Sequence, residues 1–192
     1  MLKRCVYLCI LAFIIAGVSS CIFDPKNDDG KEPPPPEVTF LPLTEKDNVL
    51  VNIERAYVAR RIEKYEEVLD DEFTFFLSSG DVGGDIPEQW DKSEEILLNT
   101  RLFDKTYAAK PCQKIEMDIR TEEGLSWTEF TPASAPTETW YTTTVYYEFR
   151  FFINPDIYIS EPGSRGVFTV RDIGPAPEHH WQLIEFRDLG AH

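Results

Sequence analysis

Few residues in this chain have the types and spacings that catalysis or metal binding requires. Cys112 has no evident histidine partner, so the sequence favours a small, partly buried apolar residue over a nucleophile. His179 and His180 are adjacent, and neighbours in a strand point to opposite faces, so the two do not readily bind one metal. Asp81 and Asp85 bracket a loop without the regular spacing of calcium ligands. Since the sequence contains no metal-binding or phosphate-binding motif either, we expect neither a cofactor nor a metal.

The N-terminal segment has the three parts of a secretory signal. Lys3 and Arg4 precede an apolar run over residues 6–18, and two serines then precede Cys21. The run is shorter than the roughly 20 apolar residues that span a bilayer. We therefore predict that residues 1–20 are a signal peptide that is removed.

The end of this segment, Val18-Ser19-Ser20-Cys21, resembles the lipobox of bacterial lipoproteins. The resemblance implies that diacylglycerol is attached to the Cys21 thiol and that the chain is cut before it, leaving acyl chains such as palmitate as the anchor. Each buried CH₂ contributes about 0.8 kcal/mol to membrane binding. Ile22 stands where Asp would resemble an inner-membrane retention signal, so we expect a cell-envelope protein, in the outer membrane where the host has one. Plain secretion is the alternative.

The charge of the chain limits its partners. It carries 19 basic and 34 acidic residues, a formal net charge of −15, and loss of Lys3 and Arg4 with the signal makes it more acidic still. Phosphate backbones require a basic surface, so we expect no nucleic-acid partner. An acidic surface also disfavours adsorption to anionic lipid, so the membrane contact should depend on lipidated Cys21.

The remaining chain divides into a tether and one domain. Residues 21–37 hold the lipidated cysteine and four consecutive prolines, which favour an extended spacer of about 3.1 Å per residue. A proline-rich recognition motif is the alternative reading of the same segment. Residues 38–192 are long enough for one domain with its own core.

Apolar periodicity predicts two helices followed by strands. The first helix is expected as a continuous run of about six turns, with Thr44 as its cap and Asp47 in its first turn. Its apolar stripe comprises Val51, Val58, Ile62, Tyr65 and Leu69. The second helix is expected to begin at Trp90-Asp91, with Glu94 and Glu95 in its first turns, and to end near Phe103.

Alternation of period two then predicts an antiparallel meander, which makes the class α+β. Glu148 and Arg150 lie opposite Val145 and Phe149, so we expect the charged pair on the solvent face. The predicted strands cover residues 73–77, 115–119, 125–130, 145–153, 166–172 and 180–187.

The order of these elements resembles the nuclear transport factor 2-like superfamily, which includes the polyketide-cyclase-like proteins. The resemblance covers residues 47–188 and is carried by the segments 56–65, 69–75, 167–171 and 181–188, together with Trp90. It implies helices packed in the hollow of a strongly curved antiparallel sheet, forming a cone with a pocket.

The same resemblance suggests candidate catalytic residues. Enzymes of this superfamily commonly use an Asp, a His or a Tyr in the pocket, which points to Asp71 or Tyr57 as the acid–base residue. Asp70 and Asp71 stand at the junction of the first helix and first strand, where a simple turn acid is the favoured alternative.

Three functions remain open at this stage. The leading hypothesis is a non-catalytic envelope lipoprotein whose cone binds a small apolar ligand or a protein partner. The second is a polyketide-cyclase-like enzyme, such as an isomerase, dehydratase or hydrolase. The third is a structural module, since sheets of this superfamily often pair back to back, which would make a homodimer.

Overall fold

The computed structural model describes residues 38–82, 87–120, 124–175 and 177–191. The signal segment, Cys21 and the proline tether lie outside the described residues. The described parts of the chain contain three helices: α1 (Lys46–Ala59), α2 (Ile62–Val68) and α3 (Lys92–Phe103). The strands are β1 (Leu69–Phe76), β2 (Gln89–Asp91), β3 (Lys114–Ile119), β4 (Thr128–Phe130), β5 (Trp140–Ile153), β6 (Asp156–Ile159), β7 (Ser164–Asp172) and β8 (Trp181–Ala191).

The predicted long first helix is in fact two helices. Arg60 adopts a left-handed conformation (φ 54°, ψ 46°) and ends α1, and the N–H of Arg61 closes the turn on the Ala56 carbonyl at 2.9 Å. Within α1 the buried face carries Val49, Ile53 and Ala56, so Val58 is 47% exposed and does not belong to the buried stripe. The predicted cap at Thr44 is also wrong, because α1 is preceded by Glu45, which makes no side-chain capping bond.

The second predicted helix, now α3, begins where the sequence indicated. The Asp91 carboxylate accepts a hydrogen bond from the Glu94 N–H at 3.0 Å, which satisfies one of the free donors at the helix start. None of the helices in the described parts of the chain is both long enough and apolar enough to cross a membrane.

The strands form one strongly curled sheet in the order β2-β1-β8-β7-β5-β3, with β4 and β6 also paired to β5. Every pairing is antiparallel except β1 with β8, which is parallel, so the expected antiparallel sheet is mixed. No hairpin connects β1 to β8, and their relative direction is therefore not imposed by a tight turn. Irregularities in the β7–β8 register favour the curvature of the sheet.

The core lies between the helices and the concave face of the sheet. The alternation predicted for β3 is confirmed: Ile115, Met117 and Ile119 are all buried. On the opposite face, Arg150 pairs across the strands with Glu116 and along its own strand with Glu148, so the expected solvent-facing charges are also confirmed. Helix α1 contributes Val49, Leu50, Ile53 and Ala56 to the same core.

Candidate functional site

The two candidate acid–base residues lie in very different environments. The Asp71 side chain is 98% exposed, and Lys92 Nζ contacts its Oδ1 at 2.9 Å. That hydrogen bond lowers the pKa of Asp71. Tyr57 is only 8% exposed and lies within the core. Asp71 therefore faces solvent, whereas Tyr57 faces the interior of the cone.

Tyr57 packs at the junction of α2, α3 and β5. Its ring centroid is 5.0 Å from that of Tyr65, 5.2 Å from that of Phe103 and 5.2 Å from that of Phe149. Burial raises the pKa of Tyr57 well above its ordinary value, and the charge of Glu95 raises it further. The phenol therefore stays protonated and can act as a hydrogen-bond donor or an acid.

Next to Tyr57 lies a cluster of four side chains that we call the Glu95 network: Glu95, Tyr65, Trp90 and Asn99. Tyr65 Oη and Asn99 Nδ2 each donate to Glu95 Oε1 at 2.7 Å, and Trp90 Nε1 donates to Oε2 at 2.5 Å. Glu95 is 4% exposed. Burial raises the pKa of Glu95, while the three donated hydrogen bonds oppose that rise.

The sequence did not reveal Glu95 as an interior residue. The buried residues of α3 are Glu95, Asn99 and Phe103, which lie four residues apart on one face. Leu97, an apolar residue on the other side, is 50% exposed. The buried face of this helix is thus marked by two polar residues and Phe103 at four-residue spacing, and its exposed side includes an apolar residue.

Asp70, the neighbour of Asp71, has a structural role. It is 1% exposed and receives two hydrogen bonds from Arg171: Nε to Oδ2 at 2.8 Å and Nη2 to Oδ1 at 2.7 Å. These two hydrogen bonds join the start of β1 to β7, although β8 separates the two strands in the sheet. Asp70 therefore stabilises the contact between β1 and β7 and is not a free acid.

The two histidines do not converge on a common site. His179 Nδ1 contacts Asp172 Oδ2 at 2.5 Å, whereas His180 reaches the same carboxylate through its backbone N–H at 2.8 Å. His179 also stacks against Trp181 at 5.7 Å between ring centroids. Among the described residues, no group of three or more His, Cys, Asp or Glu side chains is placed to hold a metal ion.

The concave face of β5 becomes less covered towards its C-terminal end. Val145 and Tyr147 are buried, but Phe149, Phe151 and Ile153, which continue the same face, are only partly buried. Phe149 and Phe151 stack with ring centroids 5.5 Å apart. We call this half-covered surface the apolar rim; it consists of Phe149, Phe151 and Ile153.

Cys112 lies beside this end of the cone. Its side chain is 5% exposed, and its thiol contacts the Lys114 carbonyl at 3.2 Å. Burial raises the pKa of Cys112, which keeps the thiol protonated and poorly nucleophilic. The structure therefore fits the reading of Cys112 as a small buried residue.

Comparison with known proteins identifies the fold. No protein-family profile matches the chain, and no curated protein matches its sequence. A nuclear transport factor 2-like superfamily protein from Salmonella enterica serovar Typhimurium matches with a TM-score of 0.50 at 9% identity, covering 76% of this chain and 88% of that one. A putative calcium/calmodulin-dependent protein kinase type II association domain from Thiobacillus denitrificans matches with a TM-score of 0.49 at 9% sequence identity. The match covers 79% of this chain and 99% of that one. A nuclear transport factor 2-like protein of unknown function from Pseudomonas putida matches with a TM-score of 0.43 at 13% sequence identity. The match covers 73% of this chain and 80% of that one. The chain has the nuclear transport factor 2-like α+β cone fold.

Proposed function

We propose that this nuclear transport factor 2-like domain belongs to a lipid-anchored envelope protein and binds a small apolar ligand at the apolar rim. The observation that carries the proposal is the stacked pair Phe149 and Phe151, which lies on the concave face yet is only half covered. Ligand sites are typically concave and lined by apolar and aromatic side chains.

The depth of the cone favours a shallow site at the rim. Tyr57 contacts three other aromatic rings, and the Glu95 network behind it is closed by its own hydrogen bonds. A ligand at the rim would cover the exposed parts of Phe149 and Phe151 without opening this packed interior. Removal of apolar surface from water would supply about 25 cal/mol per Å².

Two adjacent residues of β5 provide the test. Phe151 belongs to the rim, whereas Phe152 points to the other face and pairs with Lys114. We expect Phe151→Ser to weaken binding of the neutral fluorescent probe N-phenyl-1-naphthylamine by about tenfold or more, since the partly exposed ring supplies the contact. Phe152→Ser should bind the probe like the unaltered chain. Equal weakening by both substitutions, or no probe binding at all, would count against the rim as a ligand site.

The membrane anchor is supported by the sequence pattern around Cys21. The strongly acidic composition gives the domain little affinity for anionic headgroups of its own. We expect Cys21→Ser to shift the protein from the membrane fraction to the soluble fraction of its host. Cys112→Ser is the matched control and should leave the distribution unchanged. Membrane retention of the Cys21 variant would contradict the anchor.

A second candidate function is acid–base catalysis by Tyr57 together with Glu95. The observation that favours it is a buried carboxylate whose pKa is raised and which lies beside two tyrosine hydroxyls. Carboxyl ¹³C NMR of the chain labelled at glutamate tests this candidate. An ordinary or lowered pKa at Glu95 would remove its basis.

A further inference from the structure

Arg60 occupies a backbone position that an arginine seldom takes. Within the described parts of the chain it is the one non-glycine residue with a positive φ, at 54°. Glycine or asparagine is usual at such a helix-ending position, because a side chain there crowds the backbone. The strain indicates that something other than local backbone preference holds an arginine at this break.

The guanidinium group of Arg60 is poorly partnered. Its Nη2 is sealed from solvent and has no hydrogen-bond acceptor among the described residues. Its Nη1 reaches the Phe103 carbonyl only at 3.5 Å, the outer limit of a hydrogen bond. The group also interacts with the Cys112 thiol, a weak acceptor, through its charge and a side-chain hydrogen bond, and both lower the pKa of Cys112 against the effect of burial. A buried guanidinium N–H without an acceptor is unfavourable, and an anion that reaches it by displacing the side chains around Nη2 would satisfy it.

The position of this group relates it to the apolar rim. The rings of Phe103 and of Phe149 in the rim both contact the Tyr57 ring, each at 5.2 Å between centroids. Cys112 directly precedes the residues that pair with the last part of β5, where Gln113 N–H donates to the Phe152 carbonyl at 2.7 Å. Arg60 therefore places one cationic donor next to the half-covered aromatic surface, in a chain whose net charge is strongly negative.

The geometry points to an amphiphile with an apolar tail and one anionic headgroup as the ligand of this site. The tail covers Phe149 and Phe151, and the headgroup accepts hydrogen bonds from the Arg60 guanidinium, whose planar fork suits a carboxylate. This inference rests on the proposed ligand site at the rim. The competing role for Arg60 is purely structural, as a cation near the C-terminal carbonyls of α3.

Displacement of N-phenyl-1-naphthylamine separates these roles. The assay uses the full chain carrying Cys21→Ser, and compares decanoate, decyl phosphate and the neutral 1-decanol, all below micelle-forming concentrations. We expect decanoate to displace the probe at a concentration at least about tenfold lower than 1-decanol, as a charge-assisted hydrogen bond implies. Decyl phosphate distinguishes a general anion site from a carboxylate site. A general anion site predicts displacement at a concentration similar to that of decanoate, and a carboxylate site predicts displacement at a higher concentration.

Three substitutions complete the design. Arg60→Gln should abolish the preference for the anionic headgroup while leaving displacement by 1-decanol unchanged. Arg60→Gly should do the same in a backbone that accepts the positive φ without strain, which guards against misfolding of the first variant. Arg61→Gln is the matched control, because Arg61 is exposed and pairs with Glu63; it should retain the preference.

Each outcome has a separate meaning. If decanoate and 1-decanol displace the probe equally, the apolar site stands and the anionic headgroup is refuted. If the preference persists in both Arg60 variants, the role of Arg60 is refuted. If Arg60→Gln lowers thermal stability without changing the preference, Arg60 is a structural cap. If the probe does not bind the unaltered rim, the proposed function itself fails.

Discussion

Replacement of Glu95 by glutamine tests whether the Glu95 network stabilises the domain. The amide has nearly the same shape as the carboxylate, but only its oxygen can accept hydrogen bonds. If that oxygen still accepts the hydrogen bonds from Tyr65 and Asn99, the amide nitrogen faces Trp90 Nε1, and two hydrogen-bond donors then oppose each other. A buried N–H left without an acceptor costs about 1–3 kcal/mol. We expect Glu95→Gln to lower the free energy of unfolding by about that amount.

The pH dependence gives the prediction a second, independent part. Burial raises the folded-state pKa of Glu95 above the value of about 4.3 for an unfolded chain. The folded state therefore takes up the proton more readily, and this contribution to stability is fully present below the unfolded pKa and lost as pH rises through the folded pKa. A neutral carboxyl group still offers a lone pair to Trp90, which an amide nitrogen does not. The stability difference between the unaltered chain and Glu95→Gln should grow from about pH 7 down to about pH 4.

Urea unfolding followed by tryptophan fluorescence measures both quantities. Glu94→Gln is the matched control, because Glu94 is the exposed neighbour on the same turn and should change stability by less than about 0.5 kcal/mol. Glu95→Gln equal to or more stable than the unaltered chain would show that the hydrogen bonds of this network do not outweigh the cost of burying the carboxyl group. If the difference in unfolding free energy between the two chains shrinks at low pH, the pKa of Glu95 is lower in the folded state than in the unfolded state, which contradicts the prediction.

Two further substitutions test the core. Asp70→Ala removes a buried carboxylate and its two hydrogen bonds from Arg171, which keeps Glu72 and Glu138 as partners, so it should cost about 1–3 kcal/mol in urea unfolding. Asp71→Ala, on the exposed neighbour, should cost at most about 1 kcal/mol; similar losses for both would contradict the structural role of Asp70. Gly166→Ala brings a methyl group to 2.5 Å from a ring carbon of Phe186, so we expect a loss of about 1–3 kcal/mol in thermal or urea unfolding. Gly80→Ala meets nothing closer than 3.8 Å and serves as its control, and a stable Gly166 variant would show that the rings give way.

The sequence was informative wherever local pattern and burial agree. The alternation of Ile115, Met117 and Ile119 predicted the inner face of β3, and the same period in β5 predicted the outward position of Glu148 and Arg150. Asp91 marked the start of α3 through its capping side chain. In each case a few neighbouring residues decide the structure, so the sequence contains the necessary information.

The errors occurred where distant contacts override local preference. A left-handed Arg60 has no sequence signature, since arginine is a good helix former and the apolar stripe continues past it to Ile62. The sequence placed Glu95 in the first turns of α3 without indicating its burial, because its three donors come from a tyrosine, a tryptophan and an asparagine whose convergence depends on the fold. The Glu95 network therefore became visible only in the folded structure, whereas Tyr57 was already a candidate from the sequence.

The central position of β8 determines when the domain can be completed. This strand lies between β1 and β7, so without it the pair β1–β2 has no backbone connection to the rest of the sheet. Leu69 and Leu183, which face each other across the β1–β8 pairing, are far apart in sequence, and closing so long a loop is entropically costly and slow. A chain emerging from the ribosome or from a membrane therefore exposes two unfinished sheet edges until β8 arrives, so a premature stop before Trp181 would leave two fragments of sheet rather than a shortened domain.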